Sequence, residues 1–258
     1  MTESKRRVEN LDSHIDHQFA EQFGKWVVAF GRAYNDFEVD GIDKIPVDRP
    51  ALLVFYHGLI PIDAWYFGLH FYLKKRILIR ALGDRWLFRT PGLNKLCRAV
   101  GAIPGDPKDA VALLRSGCLV GVSPGGVQEA IKGISNNYKL MWGSRSGFAK
   151  VAIEAQVDII PVFTQNIDET YVAPFAEHPI FQSLYQFTKL PLVPILGLGV
   201  LPFPVKLKTW VGDPIPYVEG RSPAELRELT AKGLQDLITK RQHNSQGLVA
   251  ALTSRWLK

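Results

Sequence analysis

From position 39 onward, short apolar runs take turns with stretches at helical spacing, and that alternation narrows the choice of fold sharply. The runs at 51–56, 76–80, 118–123, 159–164 and 205–211 have the length of strands, and helices are expected at 63–74, 107–116, 145–156 and 178–188. Strands that alternate with helices are joined by crossovers, which makes them parallel neighbours covered on both faces. The expected fold class is therefore α/β: a mixed, largely parallel sheet flanked by helices. The last helix is the best marked. Ser222 suits its N-cap, Pro223 its first position and Glu225 the capping box, and it runs to about Gln242.

Ahead of the sheet, residues 1–36 read as an N-terminal amphipathic helical segment, leaving 37–258 for the α/β domain. Ile15, Phe19, Phe23, Trp26, Val27, Phe30 and Tyr34 fall on one helical face, with Ser13 as a candidate N-cap, Gly31 a tolerated weakness, and Lys25 and Arg32 flanking the face. Such a face can lie in a membrane interface or dock on the protein's own core. Asp12, His14, Asp16 and His17 occupy successive faces of the helix start, so a solvated terminus is expected there rather than a metal site.

Bulk composition excludes several classes. At 47% hydrophobic and 22% charged residues, the 258-residue chain can bury a sizeable core and does not read as disordered. The formal net charge of +6 fits attraction to anionic lipid, nucleic acid or acidic small molecules. No nucleic-acid motif or basic-aromatic platform accompanies it, so no nucleic-acid partner is expected. Two cysteines, Cys97 and Cys118, show no metal spacing and no bridge framework, which points to a reduced, cytoplasmic compartment. The first ten residues are too polar for a signal peptide. The longest apolar stretch, 190–205, is broken by Pro191, Pro194, Pro202 and Pro204 and cannot be a regular spanning helix. Membrane contact is expected to be interfacial.

Three constellations carry chemistry. In Phe55-Tyr56-His57-Gly58-Leu59-Ile60-Pro61-Ile62-Asp63, an apolar strand ends in a histidine, a turn follows, and an aspartate opens a helix. A carboxylate brought back to Nδ1 would fix the tautomer and leave Nε2 to take a proton from a hydroxyl. A lone His and Asp at this spacing are more readily read as a strand-end histidine satisfying the backbone and an N-cap. The second is Val120-Gly121-Val122-Ser123-Pro124-Gly125-Gly126-Val127-Gln128-Glu129-Ala130, whose glycines allow close approach to backbone N–H donors. The third is Trp142-Gly143-Ser144-Arg145-Ser146-Gly147-Phe148, where Arg145 near a helix start could hold an anion. Its serines stand at the wrong places for a nucleophile elbow.

Taken in order, these blocks resemble the glycerolipid acyltransferase superfamily, and more closely its diacylglycerol-acyltransferase-like branch, over about 41–242. His57 to Asp63 matches the place of the family's His-x4-Asp motif. The stretch from Ser123 to Ala130 resembles Pro-Gly-Gly-x-x-Glu-Ala, Arg145-Ser146-Gly147-Phe148 resembles Arg-Lys-Gly-Phe, and Ile160-Pro161-Val162-Phe163 resembles the hydrophobic-proline block. The resemblance implies transfer of a fatty acyl group from acyl-CoA or acyl-carrier protein to a lipid hydroxyl at the cytoplasmic face of a membrane, with no metal and no further cofactor. It implies His57 as general base oriented by Asp63, and substrate contacts from Gly125, Gly126, Gln128, Glu129, Arg145 and Lys108.

Departures from the family pattern shape the expected acceptor. Five residues, not four, separate His57 from Asp63, and Pro61 would have to help the turn absorb the extra one. Gln128 stands where the phosphate-acceptor branch carries an arginine, and near Gly101-Ala102-Ile103 only Lys108 offers a cation. Both point to a neutral lipid alcohol rather than a phosphate monoester. An arginine folding against Gln128 would restore the lysophospholipid or lysophosphatidate reading. A thioesterase and a non-catalytic peripheral lipid binder are the remaining alternatives. The segment 201–208, apolar bulk with two lysines, could border a lipid entrance but reads more readily as a kinked connection into an edge strand, and Gly212-Asp213-Pro214-Ile215-Pro216 reads as a structural turn.

Overall fold

The structure, a computed structural model, describes residues 3–131, 133–188, 193–242 and 247–256. Its centre is β2 (Ala51–Phe55), buried at every position between β5 (Leu119–Val122) and β6 (Asp158–Gln165), parallel to both. Beyond β5 lie β3 (Ile79–Gly83) and the short β4 (Ile103–Pro104), and beyond β6 lie β7 (Lys208–Val211) and β1 (Glu38–Asp40). The order β1-β7-β6-β2-β5-β3-β4 is parallel throughout except where β7 runs antiparallel to β6. This is the expected α/β class with a largely parallel sheet.

Period-2 alternation in β2 feeds two cores. Leu52 and Val54 face α5 (Pro107–Arg115), α7 (Gly147–Ala155) and α9 (Pro223–Arg241), whereas Ala51, Leu53 and Phe55 face α3 (Ile62–Lys75). Each face is covered, so the sheet reads as continuous apolar runs. The capping of α9 is as expected, the Glu225 N–H donating to Ser222 Oγ at 3.2 Å. Short helices α4 (Leu93–Ala99) and α6 (Gly126–Ala130), and α8 (Pro179–Thr188) and α10 (Gly247–Trp256), complete the fold together with the N-terminal pair.

That pair is α1 (Glu3–Asp12) and α2 (His17–Asn35). Asp16, not Ser13, caps α2, accepting the Phe19 N–H at 2.8 Å, while Ser13 Oγ donates to Asn10 O. The seam of α2 on α3 is built from small residues: Ala20, Gly24, Val28 and Gly31 are buried. A Cβ on Gly31 would lie 3.0 Å from the Tyr66 ring, so this glycine serves close packing rather than being a weak spot. The aromatic face turns outward, with Trp26 79% exposed.

The strand expected at 76–80 begins three residues later. Arg76 is the left-handed C-cap of α3 (φ 60°), its N–H donating to Tyr72 O, so the chain is still leaving the helix there. The run at 205–211 pairs in the sheet only from Lys208, because the Leu207 N–H donates to Asn35 O at the end of α2.

Candidate active site

In a parallel sheet, ligands meet the carboxyl ends of the strands. At that edge the Tyr56 N–H still donates to Val162 O at 3.3 Å, and His57 then leaves the sheet, half-buried. Its Nδ1 lies 2.6 Å from Gly58 O. A carbonyl only accepts, so Nδ1 carries the proton and Nε2 keeps its lone pair. The tautomer expected from Asp63 is thus held here by the adjacent peptide carbonyl. Gly58 itself admits no side chain, because a Cβ would meet Ile167 Cγ1 at 2.6 Å.

Asp63 opens α3 from a buried position, 3% exposed, and its Oδ1 has no hydrogen-bond partner among the described residues. Burial pushes its carboxyl up to about 6; the Thr164 hydroxyl pulls the other way, and the neighbouring Asp168 adds to the rise. Between His57 and Asp63, Pro61 stands at the N-cap of α3 with φ −80° and ψ 59°.

The strand β5 delivers the second block beside β2. The Gly126 N–H closes the turn onto Ser123 O at 3.1 Å, so of the two glycines expected as donors this one is already engaged. Glu129, expected among the substrate contacts, is wholly buried. Its Oε2 accepts the His57 N–H at 3.2 Å and its Oε1 the Met141 N–H at 2.9 Å. Arg145 stands at the mouth of this turn, Nη1 donating to Gly125 O at 2.7 Å and Nη2 to Gln128 Oε1 at 2.6 Å. The structure therefore does bring an arginine against Gln128. Lys108 sits in the first turn of α5, exposed, its N–H donating to Asp106 Oδ1, in the connection that follows β4, a strand separated from the histidine's β2 by β5 and β3.

A buried polar network underlies the histidine. The Tyr56 hydroxyl donates to Asp168 Oδ2, the Tyr138 N–H reaches Tyr56 Oη at 2.7 Å and Asp168 Oδ2 at 3.0 Å, and the Tyr138 hydroxyl donates to Glu169 Oε2. Burial, then the nearby carboxylates, holds both phenols neutral far above the ordinary tyrosine range. Sequence reasoning passed over these residues. The available signal was the polar run Gln165-Asn166-Ile167-Asp168-Glu169-Thr170 emerging from an apolar strand at the same sheet edge as His57.

An apolar groove of about 390 Å³ borders the site through Ile62, the residue before Asp63. Trp26 and Phe30 of α2, Trp65 of α3, Tyr171 and Val200 also line it. Its rim is open: Trp26 is 79% and Val200 91% exposed. Among the described residues no helix is long and apolar enough to cross a membrane.

Comparison with known proteins agrees with this architecture. The chain is 42% identical over 224 residues to a human protein described as a "DGAT1/2-independent enzyme synthesizing storage lipids", covering 86% of this chain and 67% of that one. The bovine protein of the same description is 41% identical over 223 residues, covering 86% and 65%. The chain thus spans about two thirds of the length of these relatives. The fold is similar to the crystal structure of the 1-acyl-sn-glycerophosphate acyltransferase PlsC from Thermotoga maritima, with TM-score 0.60, 19% identity, and coverage of 88% of this chain and 81% of that one. The family model described as Acyltransferase matches residues 36–165, the stretch holding His57, Asp63, Glu129 and Arg145. The chain belongs to the Acyltransferase family.

Proposed function

We propose that the protein transfers a fatty acyl group from a thioester, acyl-CoA or acyl-carrier protein, to the hydroxyl of a neutral lipid alcohol at a membrane surface. The observation that carries this reading is His57 at the carboxyl end of the central strand, its Nδ1 held as a donor to Gly58 O, on the segment that leads to Ile62 at the border of an apolar groove. Nε2 takes the acceptor's hydroxyl proton as its oxygen attacks the thioester carbonyl. The tetrahedral oxyanion collapses, the carbon–sulfur bond breaks, and the imidazolium returns the proton to the departing thiolate. No covalent enzyme intermediate is needed.

Three features support the roles. Asp63, Asp168 and Glu129 are buried carboxyl groups around the base, and negative charge there favours the imidazolium formed during transfer. Among the described residues Asp63 keeps a buried oxygen without a donor, a costly arrangement of about 1–3 kcal/mol that is retained where a site uses it. The groove, within the size range of small-molecule sites, offers the acyl chain an apolar wall, and Trp26 and Val200 at its rim suit the interfacial region of a bilayer. The relatives' description as storage-lipid enzymes agrees with a neutral acceptor.

A specific observation favours a second reading. Arg145 lies against Gln128, the place where a phosphate-binding arginine would be needed, and its guanidinium is exposed at the turn's mouth. Lysophosphatidate is the acceptor that this geometry would serve. Acyl transfer to diacylglycerol, monoacylglycerol, long-chain alcohols and lysophosphatidate, compared between wild type and Arg145→Ala, separates the two. Product on the neutral alcohols with Arg145→Ala retaining activity supports the first reading. Product on lysophosphatidate alone, lost in Arg145→Ala, supports the second.

A further inference from the structure

We propose that Glu129 is the positioning residue for His57, its carboxylate gathering the backbone of the histidine, the Pro-Gly-Gly turn and the loop leading to Arg145 into one rigid unit. This deepens the reading of His57 as general base and rests on it.

Three independent observations converge on that side chain. Glu129 is 0% exposed, although ionisable residues are almost never fully buried unless their charge is satisfied. Its two oxygens accept backbone N–H groups from two distant segments, His57 through Oε2 and Met141 through Oε1, 72 and 12 residues away in sequence. Its carboxylate also presses on the turn that precedes it: a Cβ at Gly125 would stand 2.5 Å from Glu129 Cδ and Oε2. Gly125 has φ −68° and ψ −33°, angles that any residue adopts, so its lack of a side chain answers to Glu129 and not to backbone strain.

The chemistry requires a carboxylate. Two N–H donors converge on one side chain, and both oxygens of a carboxylate accept. The amide of glutamine accepts at one end only; its NH2 would face a second N–H, leaving one backbone donor opposed. Because the His57 N–H is one of the two, loss of the pair releases the backbone that aims the imidazole. Arg145 is held to the same unit, through Gly125 O on the turn.

Two variants test this. Glu129→Gln keeps the volume and removes one acceptor. Gly125→Ala keeps every N–H and displaces the carboxylate. The His57 amide proton is followed in protein labelled with 15N-histidine, the signal assigned by its loss in His57→Gln, and steady-state acyl transfer is measured alongside. The expected result is an upfield shift of the His57 amide in both variants and a fall in kcat of about 100-fold, with KM for donor and acceptor unchanged, as for a base misplaced by about 1 Å. The double variant should be no worse than the poorer single one. The proposal is overturned if the His57 amide stays in place in both variants, or if KM for the acceptor rises while kcat holds, which would make Glu129 a substrate contact. Should the wild type transfer no acyl group, the base reading fails by that result alone, and the amide shift still decides whether the carboxylate ties His57.

Discussion

At the scale of single residues, the proposed site combines a histidine whose ring is held by its own backbone with a buried carboxyl group. His57→Ala is expected to lower acyl transfer by about 100- to 10,000-fold, the usual contribution of a positioned base, without altering thermal stability much, because the residue is only half-buried. Asp63 gives a sharper test through pH. Its carboxyl sits at about 6, raised from 3.8 chiefly by burial, so the native state binds the proton more tightly than the unfolded chain does. Below the unfolded value both states are protonated and the group costs nothing. Between about 3.8 and about 6 the unfolded chain ionises while the native state keeps its proton, so stability falls by about 3 kcal/mol across that window, with no further loss above it. Asp63→Asn should therefore be more stable than wild type at pH 8 and lose that advantage towards pH 4, as read from urea midpoints across the range. Over the same window activity moves oppositely. Turnover should decline as pH drops through about 6, where Asp63 loses the charge that supports the imidazolium.

At the scale of elements, the packing of α2 on α3 depends on residues that a search for large apolar side chains passes over. Gly31→Leu should weaken the pair by about 1–3 kcal/mol, since even a Cβ there reaches the Tyr66 ring at 3.0 Å; thermal denaturation measures it. The strands of the sheet centre were readable in the sequence because burial on both faces leaves nothing but apolar residues in β2 and little else in β5 and β6. β1 and β4, three and two residues long, carry too little pattern to see, and β3 was displaced because the αL cap at Arg76 has no sequence mark of its own. In the site, His57, Asp63, the Pro-Gly-Gly turn and Arg145 were legible as motifs. Their connections were not: Tyr56 meets Asp168 across 112 residues, and only the ordering of strands brings the end of β6 beside the end of β2. The contact between Arg145 and Gln128, 17 residues apart, likewise follows from how the turn after β5 folds back.

At the scale of the whole molecule, α2, the start of α3, Tyr171 and the stretch 200–202 present one apolar surface around the groove. The docked face of α2 uses small residues, so the helix packs on the protein's core through one face and turns its aromatic side chains outward. In the proposed membrane seat, Trp26→Ser together with Val200→Asp should reduce co-sedimentation with anionic vesicles by at least about tenfold, given about 1.5–3 kcal/mol for each large apolar side chain withdrawn from water. Near-wild-type vesicle binding would place the membrane contact elsewhere.

The central claim, base-assisted acyl transfer at His57, is tested most directly by one measurement. Purified protein is given a labelled long-chain acyl-CoA and a mixed panel of lipid hydroxyl acceptors, and ester product is followed for wild type and His57→Gln. The account predicts ester on a lipid hydroxyl with wild type and its loss to background in His57→Gln, with the variant folded to the same melting temperature. Ester formed equally by His57→Gln, or acyl-CoA hydrolysed with no dependence on acceptor, would contradict it.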